Sequence, residues 1–217
     1  MKVSPQTQNH RRPFLLAVLL AASPWMSACA PLLVGGAMVG GAMVVTDRRT
    51  SGAQLEDQSI EFKSGNRLRE VLGDRGRVSP TSYNRLVLLT GEVASEADKT
   101  AAEQAVARVE NVRATVNELT VLGSGAFASS LANRSNDLIL SGKVKATFVD
   151  AKDVHANAFK VVTDRGVVYL MGRVTEREAD RATELARSIN GVQKVVRVFE
   201  IISEAELANM RPAADKK

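Results

Sequence analysis

The sequence predicts an α+β fold of two tandem αββαβ units, each a three-stranded sheet covered by two helices. Val87 to Val93 (VLLTGEV) recurs as Val168 to Val174 (VYLMGRV), an offset of 81. Val112 to Leu122 (VRATVNELTVL) recurs as Val192 to Ile202 (VQKVVRVFEII), an offset of 80. An alanine-rich stretch of helical period separates the two motifs in each copy. Such self-similarity marks a repeated supersecondary unit. The shift from 81 to 80 gives the first copy one extra residue, in the turn before its helix.

In the second unit, residues 136–202, Ser135-Asn136-Asp137 offers helix N-cap residues. Leu140, Val144 and Phe148 follow at i, i+4, i+8, one stripe of a helix. Phe159 to Thr163 and Val167 to Met171 are β-prone and flank a turn at Asp164-Arg165-Gly166, a hairpin signal. Thr175 with Glu178 has capping-box spacing. Ala182, Leu185, Ala186 and Ile189 form a second helical stripe, ended by Asn190-Gly191. Val192 to Ile202 is the last strand. Two helices suffice to cover one face of such a sheet. The first unit, residues 57–122, repeats this order. Its helices are expected at Ile60 to Leu72 and Ala97 to Val109, its turn at Tyr83-Asn84-Arg85, and its last strand at Val112 to Leu122. Pro80 points to an edge position or a late strand start. Residues 123–135 read as a linker and 203–217 as a polar tail.

Residues 1–28 read as a signal peptide. Lys2, Arg11 and Arg12 precede nine apolar residues, Phe14 to Ala22. Nine residues are too few to span a bilayer. Met26-Ser27-Ala28-Cys29 then resembles a bacterial lipobox, with Met26 where Leu is usual. The resemblance implies that Cys29 carries a diacylglycerol and becomes the mature N-terminus. Ala30 in place of Asp implies passage to the outer membrane. Residues 29–56 form the tether and linker: a GGAMV unit occurs twice, and no charge occurs from Pro13 to Thr46. Pro24, Pro31 and glycines 35, 36, 40 and 41 disfavour a regular helix there. The alternative is an uncleaved anchor across this stretch; either way the remaining chain lies outside the cytoplasm.

The composition narrows function. The 217-residue chain has a formal net charge of +5. Without residues 1–28 it keeps 26 basic and 24 acidic residues, a net +2, and seven aromatics. That argues against nucleic acid as a partner. One Cys and two His leave little for disulfides, metal sites or catalytic triads. Gly123 to Ala128 matches G-x-G-x-x-A, yet its strand closes a repeat and opens no parallel βαβ unit, so a linker explains it better. His155 has Asp150 and Asp153 nearby, without enough N or S ligands for a metal. No enzyme activity, cofactor or metal is expected.

Two αββαβ units, the motifs Leu89-Thr90-Gly91-Glu92-Val93 and Leu170-Met171-Gly172-Arg173-Val174, and a lipobox resemble the dual BON-domain (bacterial OsmY and nodulation) lipoproteins. Residues 168–180, VYLMGRVTEREAD, carry the most specific part. Gly91 and Gly172 are read as structural, at strand ends beneath a returning helix.

On the first helix of unit two, Leu138, Ser141, Lys145, Val149 and, if the helix extends, Lys152 share a face away from the core stripe. Apolar and basic residues together suit shallow insertion beside anionic headgroups. Residues 136–202 hold 11 basic and 9 acidic residues, against 9 and 10 in residues 57–122. The second unit is therefore the expected lipid-facing copy. The resemblance implies the same helix as the phospholipid-binding element, and relatives can carry an aromatic at the position of Ile139. The expectation is an outer-membrane lipoprotein facing the periplasm that binds an anionic phospholipid membrane through Leu138, Ile139, Lys145, Val149 and Lys152 and supports envelope integrity. The second reading is a non-catalytic scaffold that binds envelope proteins and meets the membrane only through its anchor. Headgroup preference, oligomeric state and the packing of the two units are left open.

Overall fold

The computed structural model describes residues 47–122 and 130–210. Domain 1 comprises α1 (Ser51–Leu72), β1 (Gly76–Tyr83), β2 (Leu86–Val93), α2 (Glu96–Ala107), β3 (Ala114–Asn117) and β4 (Thr120–Val121). Domain 2 comprises α3 (Ser130–Asp150), β5 (Phe159–Asp164), β6 (Val167–Val174), α4 (Glu176–Arg187) and β7 (Lys194–Ile201), followed by the short α5 (Glu204–Met210). Both domains follow the expected αββαβ order. Each sheet pairs its hairpin antiparallel and then adds its last strand parallel to the middle one.

The first helices are longer than the sequence stripe implied. α1 begins at Ser51, where Thr50 Oγ1 accepts from Ala53 N at 3.1 Å. α3 begins at Ser130, so the end of the expected linker 123–135 is helical and Asp137 is not an N-cap. Asp137 instead lies inside the helix and is buried. The segment after 202 is also shorter as a tail than expected, because α5 turns back and buries Leu207. In domain 1 the last strand is split at Glu118-Leu119. Both pieces keep one register on β2, Leu86 opposite Ala114 and Glu92 opposite Thr120.

The buried aspartates explain the hairpins. Asn84 and Arg85 have φ of 50° and 68°, and Arg165 and Gly166 have 52° and 76°. These left-handed pairs match the twist of two-residue hairpins but are costly for residues with a Cβ. Asp57 accepts from Asn84 N (2.7 Å), Arg85 N (2.8 Å) and Ser82 Oγ (2.6 Å). Asp137 accepts from Arg165 N (2.8 Å) and Gly166 N (2.9 Å). Each first helix thus holds its own domain's turn through charge-assisted hydrogen bonds.

Ala94 is the extra residue of the first copy. β2 ends at Val93 and β6 at Val174, while the helix caps are Ser95 and Thr175. Both hydroxyls accept from the backbone three residues on, and Thr175 with Glu178 completes a capping box.

Gly91 and Gly172 do not end their strands, which run two residues further. Nor is a helix what presses on them. Gly91 has φ +115°, and a Cβ there would sit 2.1 Å from the Arg77 carbonyl oxygen. At Gly172 it would sit 2.5 Å from the Ala158 carbonyl oxygen. The neighbouring backbone fills the space that a side chain would need.

Among the described residues, three apolar clusters hold the two domains together. One lies under α1 and α2, with Ile60, Leu68, Val87, Leu89, Ala102 and Val106. The second lies under α3 and α4, with Val144, Phe148, Phe159, Leu170, Ala182 and Ala186. There Phe148 meets Phe159 edge-on at 5.3 Å, and Phe159 meets Phe199 at 5.9 Å. The third joins the opposite faces of the two sheets: Tyr83 and Leu88 of domain 1 against Tyr169, Met171 and Val198 of domain 2. Helices therefore cover the outside of a sheet-on-sheet seam. At its rim Lys160 Nζ reaches Glu61 (2.7 Å) and the Ser82 carbonyl (3.1 Å), and Glu200 takes Asn84 Nδ2 (2.6 Å) and Arg113 (3.1 Å).

Candidate membrane-contact surface

α3 packs through Leu140, Val144 and Phe148, all buried. The opposite side carries Leu138, Ile139 and Val149, exposed by 75%, 59% and 72%. Isolated exposed apolar residues are ordinary, whereas several on one helical face mark contact with something apolar. Leu138 and Val149 are eleven residues apart, about 16 Å along the axis. Gly142 and Ala146 are exposed between them and add little bulk. Lys143 and Lys145 are exposed on either flank.

Two expected members of the face lie elsewhere. Ser141 turns toward the sheet, where its Oγ is 2.7 Å from Thr163 Oγ1. Lys152 is exposed but stands in the turn beyond Asp150, off the helix. Ile139 stands on the far side of Leu138 and borders an open cleft of about 480 Å³. Lys143, Arg165, Asn190 and Gln193 also line that cleft, with the buried Asp137 carboxylate in its wall. Cys29 and the linker motif Gly123 to Ala128 lie outside the described residues.

Electrostatics separate α3 from α1. Lys143, Lys145 and Lys152 form no ion pair among the described residues. On α1, Lys63 meets Glu110 at 3.0 Å and Arg67 meets Glu70 at 3.0 Å. α1 also exposes Leu55 and Phe62, but Lys63 and Arg67 are already answered by acids and Arg69 by the Asn66 amide oxygen. Lysines without carboxylate partners leave their positive field directed at solvent, or at whatever anion approaches.

His155 is exposed in the connection from α3 to β5 and interacts electrostatically with Glu178. Among the described residues no group of three or more His, Cys, Asp and Glu side chains could hold a metal ion. No described helix is long and apolar enough to cross a membrane.

Sequence reasoning missed the roles of two buried carboxylates, Asp57 and Glu178, and of the half-buried Asp164. Burial alone would raise the Asp57 carboxyl, but hydrogen bonds from Ser82, the Arg85 amide and Arg49 hold it below the ordinary range. Burial opposes Glu178 likewise, and Arg48 with the Thr175 amide brings it below that range. Asp164 goes the other way, raised by burial and by Asp137 and Glu92 against the opposing Gly91 amide at 3.2 Å. The recurrence of Asp57 as Asp137, 80 residues later in mid-helix, was the available signal.

A duplicated αββαβ unit with a greasy, lysine-flanked helix defines a class of tandem two-domain α+β protein. The model of the BON domain matches residues 56–123 and again 136–203. The chain belongs to the BON-domain family. It is similar to Outer membrane lipoprotein DolP of Haemophilus influenzae, 38% identical over 86% of this chain and 95% of that protein. It is also similar to a 21 kDa hemolysin of Actinobacillus pleuropneumoniae, 29% identical over 72% of this chain and 79% of that protein. Osmotically-inducible protein Y of Escherichia coli is 27% identical over 66% of this chain and 72% of that protein. With the lipobox, this similarity places the chain at the outer membrane as a lipoprotein of the envelope.

Proposed function

We propose that this outer-membrane lipoprotein, acylated at Cys29, binds anionic phospholipid through the outer face of α3 and acts without a catalytic step. Phosphatidylglycerol or cardiolipin would supply the anionic surface, and the binding would support envelope integrity. The observation that carries the reading is the conjunction on one helix of exposed Leu138, Ile139 and Val149 with Lys143 and Lys145, which form no ion pair among the described residues. Apolar side chains can enter the headgroup boundary while the lysine stems keep their ammonium groups at phosphate level. Lys152, one turn beyond, would add to the same field. The cleft beside Ile139 offers Lys143 and amide groups to a headgroup that the helix face has brought close.

Flotation of residues 47–217 with vesicles tests this without the acyl anchor. Binding is expected to vesicles containing phosphatidylglycerol or cardiolipin and not to phosphatidylcholine alone. Each lysine near an anionic surface contributes about 1 kcal/mol, so Lys145→Glu should weaken binding roughly thirtyfold. Lys63→Glu on α1 should change it little. No flotation on any lipid would overturn the reading.

A further inference from the structure

The first three described residues do not trail from the body. Arg48 enters domain 2 as a bidentate partner of Glu178, at 2.8 Å and 2.6 Å, and also donates to the Arg173 carbonyl at 2.8 Å. Glu178 is almost wholly buried, and so is most of the Arg48 side chain. Arg49 turns the other way. It pairs with Asp57 of domain 1 at 2.8 Å and stacks its guanidinium 4.2 Å above the Tyr83 ring. The root of the tether is therefore bolted to both domains by two adjacent arginines.

Comparison of the domains shows what Arg48 replaces. In domain 1 the equivalent helix-cap acid is Asp98, and Arg75 from the connection before β1 pairs with it. Val78 faces Gly91 and Phe159 faces Gly172, so Arg75, three residues before Val78, corresponds to Ala156. Domain 2 has no arginine there. Its own connection offers Glu178 only the electrostatic interaction of His155. The duplicated socket thus lacks its own plug, and the chain leading to the anchor supplies one.

We propose that Arg48 is a positioning residue that plugs the tether root into the Glu178 socket and so presents the outer face of α3 to the anchoring bilayer. Topology supports the geometry. α3 ends at Asp150, and the connection after it leads to Phe159, opposite Gly172 near the end of β6, just before α4. Val149, Lys152 and the Arg48 socket consequently share one end of domain 2. A chain held at that end makes the second contact intramolecular, and its strength follows from how well geometry permits both contacts together. The inference rests on the membrane reading above.

The test uses the full lipidated chain in phosphatidylethanolamine–phosphatidylglycerol vesicles. A label on Val149→Cys is selective, because Cys29, the chain's one native thiol, is acylated. In the otherwise native chain the label should be shielded from an aqueous quencher. Arg48→Ala should raise quencher access severalfold while the protein stays in the vesicle fraction. Trypsin cleavage after Arg48 reports the socket separately. Glu178→Gln keeps the helix cap but loses the charge, and should speed that cleavage about tenfold, since cleavage tracks the open population. His155→Arg puts a permanent cation one residue from the position equivalent to Arg75, competes for Glu178 and should also speed it. Unchanged cleavage in both variants overturns the socket. Faster cleavage with unchanged quenching in Arg48→Ala overturns the positioning role. An unshielded label in the otherwise native chain overturns the membrane reading and the positioning role together, while the cleavage rates still judge the socket.

Discussion

Domain 1 and domain 2 share a hairpin held by an aspartate, a capped second helix and a tightly approached glycine, yet their first helices meet solvent differently. α1 answers Lys63 with Glu110 and Arg67 with Glu70, and among the described residues α3 leaves Lys143 and Lys145 unanswered. Both expose apolar side chains, so exposure alone does not separate them. The difference teaches that duplication kept the residues that hold the backbone and let the outward charges diverge. The shared residues should then govern stability in both halves, with unequal magnitudes that the local geometry sets.

The largest effect is expected at the glycines. Gly91→Ala meets both a positive φ and a backbone oxygen, and should cost about 4 kcal/mol. Gly172→Ala meets only the Ala158 oxygen and should cost roughly 2 kcal/mol. Urea unfolding of the two variants checks the order; equal costs would mean that strain at Gly91 is relieved elsewhere. Next comes the seam. Leu88 is fully buried between the sheets, and Leu88→Ala should cost about 3 kcal/mol. Because the seam belongs to both domains, one cooperative transition is expected by fluorescence and circular dichroism in the native chain. Two well-separated transitions would show that the sheets do not couple.

The aspartates sharpen the comparison further. Asp57→Ala leaves Arg49 only Asp47 as an ion partner, strands the Ser82 hydroxyl and two amides, and should cost about 3 kcal/mol. Asp137→Ala strands two amides and should cost about 2 kcal/mol. Thermal melts of both variants, with the Asn replacements as partial rescues, measure the gap of roughly 1 kcal/mol between them.

Legibility in the sequence followed the reach of each interaction. Periodicity and cap spacing are local, so Leu140-Val144-Phe148 and Thr175-Glu178 announced a helix stripe and a helix start. The seam was less visible because it needs two faces of one strand. Leu86 to Leu89 and Val167 to Met171 are continuous apolar runs, the pattern of strands buried on both sides. Assigning them to one covered face left Leu88, Tyr169 and Met171 without a neighbour. Asp137 was misplaced for a related reason: an aspartate before an apolar stripe resembles a cap, and its partners at Arg165 and Gly166 lie 28 and 29 residues on. The Arg48 socket joins residues 130 apart, beyond any local pattern. The exposed apolar and basic stripe of α3 was partly legible, since Leu138, Lys145 and Val149 follow from helical angle alone. Ser141 sits near the core boundary, where the nearby Thr163 hydroxyl decides its direction.

The smallest expected effect is a pH dependence that separates the seam from the sockets. Asp164 is raised in the folded protein, with Asp137, Glu92 and Arg165 as the charged groups around it. Its ionised form is therefore a penalty of folding at neutral pH, and the folded state gains stability as pH falls through the raised value. Asp57 and Glu178 are lowered. Their stabilisation is full above the ordinary carboxylate range and is lost as pH falls through their depressed values. Stability should thus rise slightly on mild acidification and then drop in stronger acid. Asp164→Asn keeps an acceptor for the Gly91 amide and should remove the rise while leaving the drop. Chemical unfolding across that pH range reads both limbs. Persistence of the rise in Asp164→Asn would assign it to another group.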